Sequence, residues 1–353
     1  MLRARSRAGG LPEALGMKDI KACVIGLGSM GRNHARVLAE LPGVSLVGVA
    51  DPSEKVRSGY RPPTGVSVFA DHRAMIDALK PDYAVIATPT ELHCETACDV
   101  MMRKVHVLVE KPIAKRVDEA ERMIATAAAE KVKLSVGHVE RFNPAVRELK
   151  QRVDAKELGT LFQLHARRLS PFPARIADVG VILDLATHDI DAMHYVTGSR
   201  VVRAYAETAR KVHKTCEDML SGLLRFQSGE IGVLDVSWLS PKKLRELWVV
   251  GEGGTLVADY LTQDVYWYKN GRVNDTWPAA TNFSGAVEGD VIKTYIPKKE
   301  PLRAEHEAFV QALLDDGPAP VSGEEALAAV KVALDLVRSG TEKGVSIMAG
   351  AGR

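Results

Sequence analysis

The sequence predicts an α/β domain with a doubly wound parallel sheet, followed by an α+β domain carrying a mostly antiparallel sheet. Three observations predict it. Apolar β-rich segments alternate with helical stretches from Ile20 to Val136, the rhythm of a parallel sheet wound by helices. After Val136 the rhythm changes to long strand-like stretches with few helices between them. A length of 353 residues also exceeds one average domain, so two are expected. The boundaries read as a flexible extension over 1–16, a first domain over 17–137 and a second over 138–353.

Ile20 to Gly26 is a short apolar run of the kind a buried parallel strand needs. It runs into Gly26-Leu27-Gly28-Ser29-Met30-Gly31 and a helical stretch, Asn33 to Leu41. A second apolar strand, Val44 to Ala50, ends at Asp51. This is a βαβ unit with glycines and acid at the positions a dinucleotide requires. Gly26 permits the tight turn, Gly28 lets a pyrophosphate approach the backbone, and Gly31 lets helix and strand pack closely. The helix start offers free N–H groups to phosphate oxygens. Asp51, twenty residues after Gly31, suits the adenosine ribose hydroxyls and repels a 2′-phosphate, which favours NAD over NADP.

The alternation continues through helix Asp71–Leu79, strand Asp82–Ala87, helix Glu91–Met102, strand Val105–Val109, helix Val117–Glu130 and strand Lys133–Val136. Ligand is expected beyond the carboxyl ends of these strands, at Ala87–Glu91, Glu110–Pro112 and Gly137–His138. The second half predicts strands at Leu161–Leu169, Val201–Thr208, Met219–Phe226, Glu230–Val236, Leu244–Val250, Gly254–Ala258 and Asp264–Lys269. Helices close the chain at Leu302–Leu314 and, after a capping Ser322, at Gly323–Ser339. Ala279–Glu300 reads as the most loop-like internal segment.

Composition excludes several function classes. Hydrophobic residues make up 46% and charged residues 26%, ordinary for a globular protein. No apolar run approaches a membrane span. The net charge is +2, and Arg3, Arg5 and Arg7 against Glu13 already supply +2 within residues 1–16. The rest sums to zero, so no basic stripe points to nucleic acid or an anionic membrane. Residues 1–16 precede a second methionine, Met17, and lack the apolar segment of a secretory signal, which leaves a cytoplasmic protein as the expectation. Cys23, Cys94, Cys98 and Cys216 form no disulfide framework in a chain this long. Cys94 and Cys98, near His93 and His106, read better as small apolar side chains on one helix face than as a zinc site. No metal is expected.

Hydride transfer from an alcohol needs a nicotinamide above the carbinol carbon and a base for the hydroxyl proton. Lys111, in Glu110-Lys111-Pro112 at the end of a parallel strand, can stabilise a developing alkoxide or hold the nicotinamide ribose. The segment Asp178 to Tyr195 supplies the other candidates. Asp184, His188 and Asp191 fall at i, i+4 and i+7, on one helix face among apolar neighbours. A polar stripe on a buried helix needs partners. A substrate with several hydroxyls is one such partner, and a set of interdomain salt bridges is the other. His194 lies off the stripe and reads as a packed or surface histidine.

From Ile20 to about Ser339 the chain resembles the Gfo/Idh/MocA family, that of glucose–fructose oxidoreductase and inositol dehydrogenase. The resemblance rests on the glycine fingerprint, Ala87-Thr88-Pro89 with His93, Glu110-Lys111-Pro112, and Asp184-x-x-x-His188-Asp189-Ile190-Asp191. It implies a Rossmann domain followed by a large open-faced sheet, and a homodimer or homotetramer. It also implies a catalytic group of Lys111, Asp184 and His188, with Asp191 touching substrate hydroxyls and Pro112 after a cis peptide bond. Cofactor contacts are expected from Gly26, Gly28, Ser29, Met30, Gly31, Asp51, Thr88, Pro89, His93, Glu110 and Lys111. In the expected chemistry Asp184 orients His188, which takes the hydroxyl proton while Lys111 stabilises the oxyanion; the roles of Lys111 and His188 can also be exchanged.

Gly137–Pro144 and Arg168–Gly180 resemble a branch that oxidises UDP-N-acetylglucosamine at its 3-hydroxyl. Guanidinium groups suit a diphosphate. Arg141, Arg168 and Arg175 are therefore expected at the substrate, with Arg167 a further candidate and solvent-facing strand-edge arginines the alternative. Free polyols such as myo-inositol, an NAD-dependent glycosidase and a dinucleotide-sensing protein without turnover remain the competing functions.

Overall fold

The computed structural model describes residues 19–173, 179–271 and 287–347. The first sheet forms from β1 (Ile20–Ile25), β2 (Val44–Ala50), β3 (Ser67–Phe69), β4 (Tyr83–Ile86), β5 (His106–Glu110) and β6 (Leu134–Gly137). Between them run α1 (Ser29–Ala39), α2 (Glu54–Ser58), α3 (His72–Leu79), α4 (His93–Met101) and α5 (Val117–Glu130). All pairings are parallel, in the order β3-β2-β1-β4-β5-β6. The chain reverses its winding between β1 and β4, which opens a crevice at the carboxyl ends of the strands. Helices cover both faces, so the central strands read as apolar runs: every residue of β4 is buried. Cys94 and Cys98 are buried on the α4 face that meets α5.

Among the described residues the second sheet has nine strands: β7 (Leu161–Leu169), β8 (Val201–Ala209), β9 (Met219–Phe226), β10 (Ile231–Ser237), β11 (Leu244–Gly251), β12 (Gly254–Asp259), β13 (Asp264–Gly271), β14 (Val287–Thr294) and β15 (Ser346–Ile347). Their order is β14-β13-β12-β11-β7-β10-β9-β8-β15, and among the described pairings only β7–β10 is parallel. Helices α6 (Pro144–Asp154) and α7 (Thr187–Thr197) contribute Ala145, Val146, Leu149, Ile190 and Met193 to the core over one face. The other face carries exposed apolar residues such as Met219 and Leu223. Strand β14 falls within the stretch expected to be a loop, of which 279–286 lie outside the described residues. An edge strand bearing glycine and charge has little period-2 signal of its own; pairing with β13 orders it.

The last helices, α8 (Pro301–Leu314) and α9 (Gly323–Glu342), depart from the expected boundary at residue 137. Ala304, Phe309 and Val310 of α8 pack into the core of the first sheet. Helix α9 serves both halves. Ala326, Leu327 and Val330 meet the first core, while Ala329, Val332, Ala333 and Leu336 meet the second. A helix apolar on more than one side is buried between layers. The expected Ser322 cap is present as a capping box with Glu325. Among the described residues no helix is long and apolar enough to cross a membrane.

Candidate active site

The glycine turn has the form a pyrophosphate requires. Gly26 has φ +94°, and a Cβ there would stand 2.5 Å from the Ala87 carbonyl oxygen. A Cβ on Gly31 would stand 1.8 Å from the Gly26 oxygen, so helix and strand approach without room for a side chain. At Gly28 a Cβ would meet nothing within 4 Å, which leaves the turn open on its outer side. Gly28, Ser29 and Met30 are exposed there. Helix α1 begins without a side-chain cap or an acidic residue in its first turn, so its leading N–H groups suit an anion. Asp51 takes Leu27 N–H at 2.8 Å and Ser53 N–H at 2.9 Å. Its carboxylate is thus fixed at the end of β2, with acceptor capacity left for ribose hydroxyls. Thr88 Oγ1 is buried beside this turn without a partner among the described residues, and Pro89 is exposed next to it. These residues fit a bound dinucleotide.

Two expected cofactor contacts face away. His93 is 1% exposed, its ring held at 3.0 Å from both the Pro112 and Thr88 carbonyl oxygens. It ties the two ligand-side loops together. Glu110 turns toward the helices: Oε1 meets His34 Nε2 at 2.8 Å and Oε2 accepts the Lys111 N–H at 3.1 Å. His34 Nδ1 lies 2.8 Å from His306 Nε2 on α8. The Glu110 carboxylate accepts from His34 Nε2, so a neutral His34 accepts from His306. A carboxylate with so few routes to water is stabilised by donors behind it rather than by ligand.

At the other side of the crevice, Lys111 Nζ donates to the Asp184 backbone oxygen at 2.6 Å and to its carboxylate Oδ1 at 3.1 Å. The Lys111–Pro112 bond is cis, as the resemblance implied. Asp184 was expected to orient His188, and it pairs with Lys111 instead. The reason is local: Ile182–Ala186 is a π turn leading into α7. A π turn carries one residue more than an α turn, and one residue is worth about 100° of rotation. Asp184 sits inside this turn, so the 3.6-residue spacing that set it on one face with His188 does not hold there.

His188 Nδ1 is buried without a hydrogen-bond partner among the described residues. Burial holds this imidazole well below the usual histidine range, with the charges of Lys111, Arg168, His138 and Arg245 acting the same way. The ring is therefore neutral, with a nitrogen left to accept, and the positive field around it favours a developing oxyanion.

The remaining stripe residue, Asp191, and its neighbour Asp189 are paired with two of the expected arginines. Arg141 holds Asp191 bidentately, Nε to Oδ2 at 2.8 Å and Nη2 to Oδ1 at 2.6 Å, and reaches Glu325 of α9 at 2.8 Å. Arg168 holds Asp189 at 2.8 and 3.0 Å and Glu140 at 3.1 Å. Both arginines are at most 5% exposed. Neither presents the free guanidinium expected of a diphosphate ligand, and Asp191 is not free for substrate hydroxyls. Buried charges require partners, and here the chain supplies them. Arg167 faces the open side of the sheet near Asp235 and Glu246, and Arg175 lies outside the described residues. Replacing Arg168 by methionine strands two buried carboxylates and is expected to lower unfolding free energy by about 3–5 kcal/mol. Urea denaturation measures it, and a loss below about 1 kcal/mol contradicts this account.

Sequence reading passed over His138 as a site residue, although its loop at the carboxyl end of β6 lay on the expected ligand side. The ring is 1% exposed and 3.7 Å from Asp191 Oδ2. Among the described residues no three His, Cys, Asp or Glu side chains are placed to hold a metal ion.

Comparisons with known proteins agree with this geometry. A family model described as an oxidoreductase family with an NAD-binding Rossmann fold matches residues 20–138. The C-terminal domain model of the same family matches residues 146–257. The UDP-N-acetylglucosamine 3-dehydrogenase of Acidithiobacillus ferrooxidans is 28% identical over 90% of this chain and 98% of its own. A solved structure of that enzyme superposes with a TM-score of 0.79 at 27% identity, covering 92% of this chain and 98% of that one. The myo-inositol 2-dehydrogenase of Thermotoga maritima is 25% identical over 91% of this chain and 96% of its own. With the glycine turn, the Lys111–Asp184 pair and both domain models in one chain, the protein belongs to the Gfo/Idh/MocA family of oxidoreductases.

Proposed function

We propose that this oxidoreductase removes hydrogen from a secondary hydroxyl of a nucleotide sugar, with the 3-hydroxyl of UDP-N-acetylglucosamine the leading substrate and NAD the cofactor. The observation that carries the reaction is the Lys111–Asp184 pair beside a half-buried, neutral His188 at the ligand side of the first sheet. Gly26, Gly28, Gly31 and Asp51 hold the dinucleotide, which supplies the hydride acceptor. Lys111, anchored by Asp184, presents a fixed positive charge to the substrate oxygen. His188 accepts the hydroxyl proton. The 28% identity to a UDP-N-acetylglucosamine 3-dehydrogenase along nearly the whole chain supports the sugar. The similarity to a myo-inositol dehydrogenase supports a free polyol as the second reading.

The test is NADH absorbance with UDP-N-acetylglucosamine, N-acetylglucosamine and myo-inositol offered separately. Signal with the nucleotide sugar alone is expected, and NADP is expected to replace NAD poorly. Turnover of myo-inositol with none of the nucleotide sugar moves the protein to the second reading.

A further inference from the structure

Strands β7 and β11 are antiparallel, and their register sets Arg168 directly opposite Arg245. The next pair along, Arg167 opposite Glu246, is complementary in charge and lies on the other face. Like charges placed directly across a sheet destabilise it, so the Arg168–Arg245 pair needs compensation. Arg168 has it, through Asp189 and Glu140. Arg245 does not. Its Nη1 comes only to 3.7 Å from Glu140 Oε1, an oxygen that already accepts from Arg168 at 3.1 and 3.2 Å. The second Glu140 oxygen faces Asn143 Nδ2 at 3.4 Å. The Arg245 guanidinium donates no hydrogen bond among the described residues, and its side chain is 33% exposed. It shares the helix-covered face with Arg168, and Asp184 and His188 lie within reach of its charge.

Resting on the sugar-oxidising reading above, we infer that Arg245 is the anion-recognising residue of the substrate site: its open guanidinium fork takes a phosphate or carboxylate oxygen of the substrate while Lys111 and His188 face the hydroxyl. A guanidinium with vacant donors in a half-dry site binds such an oxygen bidentately. The arriving anion also relieves the repulsion from Arg168. The role expected of Arg141 and Arg168 thus falls to a residue whose own carboxylate is oversubscribed.

The test uses full-length NAD-loaded protein, wild type, R245Q and R245K. Calorimetric binding of UDP and of glucuronate separates the phosphate from the carboxylate source, and KM is compared for UDP-N-acetylglucosamine and neutral N-acetylglucosamine. R245Q is expected to weaken the preferred anionic ligand on the order of 10–100-fold, raising the anionic-to-neutral KM ratio with a far smaller change in kcat, and R245K is expected to recover part of the loss. Unchanged UDP and glucuronate binding in folded R245Q overturns the inference, as does an equal KM rise for anionic and neutral sugars. If R245Q does not fold, R245K carries the same comparison, since an ammonium keeps the charge and loses the fork. Wild-type protein that oxidises no sugar but binds UDP through Arg245 overturns the catalytic reading and leaves the anion site standing.

Discussion

Replacing Lys111 by alanine is expected to lower kcat by about 10²–10⁴-fold, with a much smaller effect on folding. The ammonium is built into the end of β5 and gripped by two oxygens of Asp184. Its position is thus set before substrate arrives, and no reorganisation is needed as negative charge develops on the sugar oxygen. Both side chains are partly open, at 15% and 21% exposure, so Asp184 can be rehydrated once its partner is gone and stability changes little. Lys111→Arg is expected to restore only part of the rate, because a planar fork replaces a point charge against the same two oxygens. Steady-state kinetics with the preferred sugar, alongside a thermal melt, make the measurement. A K111A enzyme within threefold of wild-type kcat would remove Lys111 from the reaction.

The second large effect is expected at His188. Alanine or asparagine there is expected to cost about 10²–10⁴-fold in kcat through loss of the proton acceptor. The pH profile gives a sharper signature. Burial and surrounding cations hold the folded-state pKa of His188 well below the usual histidine value. The working, neutral form therefore persists through pH 6.5, and the acid limb of kcat/KM is expected well below it. The same shift has a consequence for stability with a definite sign. A histidine whose folded pKa is depressed stabilises the fold above the unfolded value of about 6.5 and loses that contribution as pH falls. His138 and His306 are shifted in the same direction by burial, and His194 is pushed down to about 4. Acid is therefore expected to lower activity and stability together. An acid limb centred at or above pH 6.5 that persists in H188N assigns the proton to another group.

Much of this site was legible because its signals are local. A positive-φ turn, a close strand–helix approach and an acid at the end of the next strand each follow from residues within one βαβ unit. Lys111 was found because loops after parallel strands form the ligand side. The pairing of Arg141 and Arg168 was not legible, for the opposite reason. Composition shows that Arg168 and Arg141 carry charge, but their partners lie 21, 28, 50 and 184 residues away. Arg245 drew no attention because an arginine in a strand looks alike whether its partner is present, absent or already taken.

The helix carrying Asp184 and His188 shows the same division at closer range. Ideal 3.6-residue spacing put both on one face, whereas Asp184 lies within the π turn at Ile182–Ala186 and meets Lys111. The return of α8 to the first domain joins His306 to His34 across 272 residues. The sequence alone therefore determined the two-domain architecture, the dinucleotide turn and the family, all written in short-range periodicity and backbone constraints. The tertiary structure alone decided which charged groups neutralise one another and which remain open to a substrate. Burying a charge demands a partner but does not specify where in the chain that partner lies.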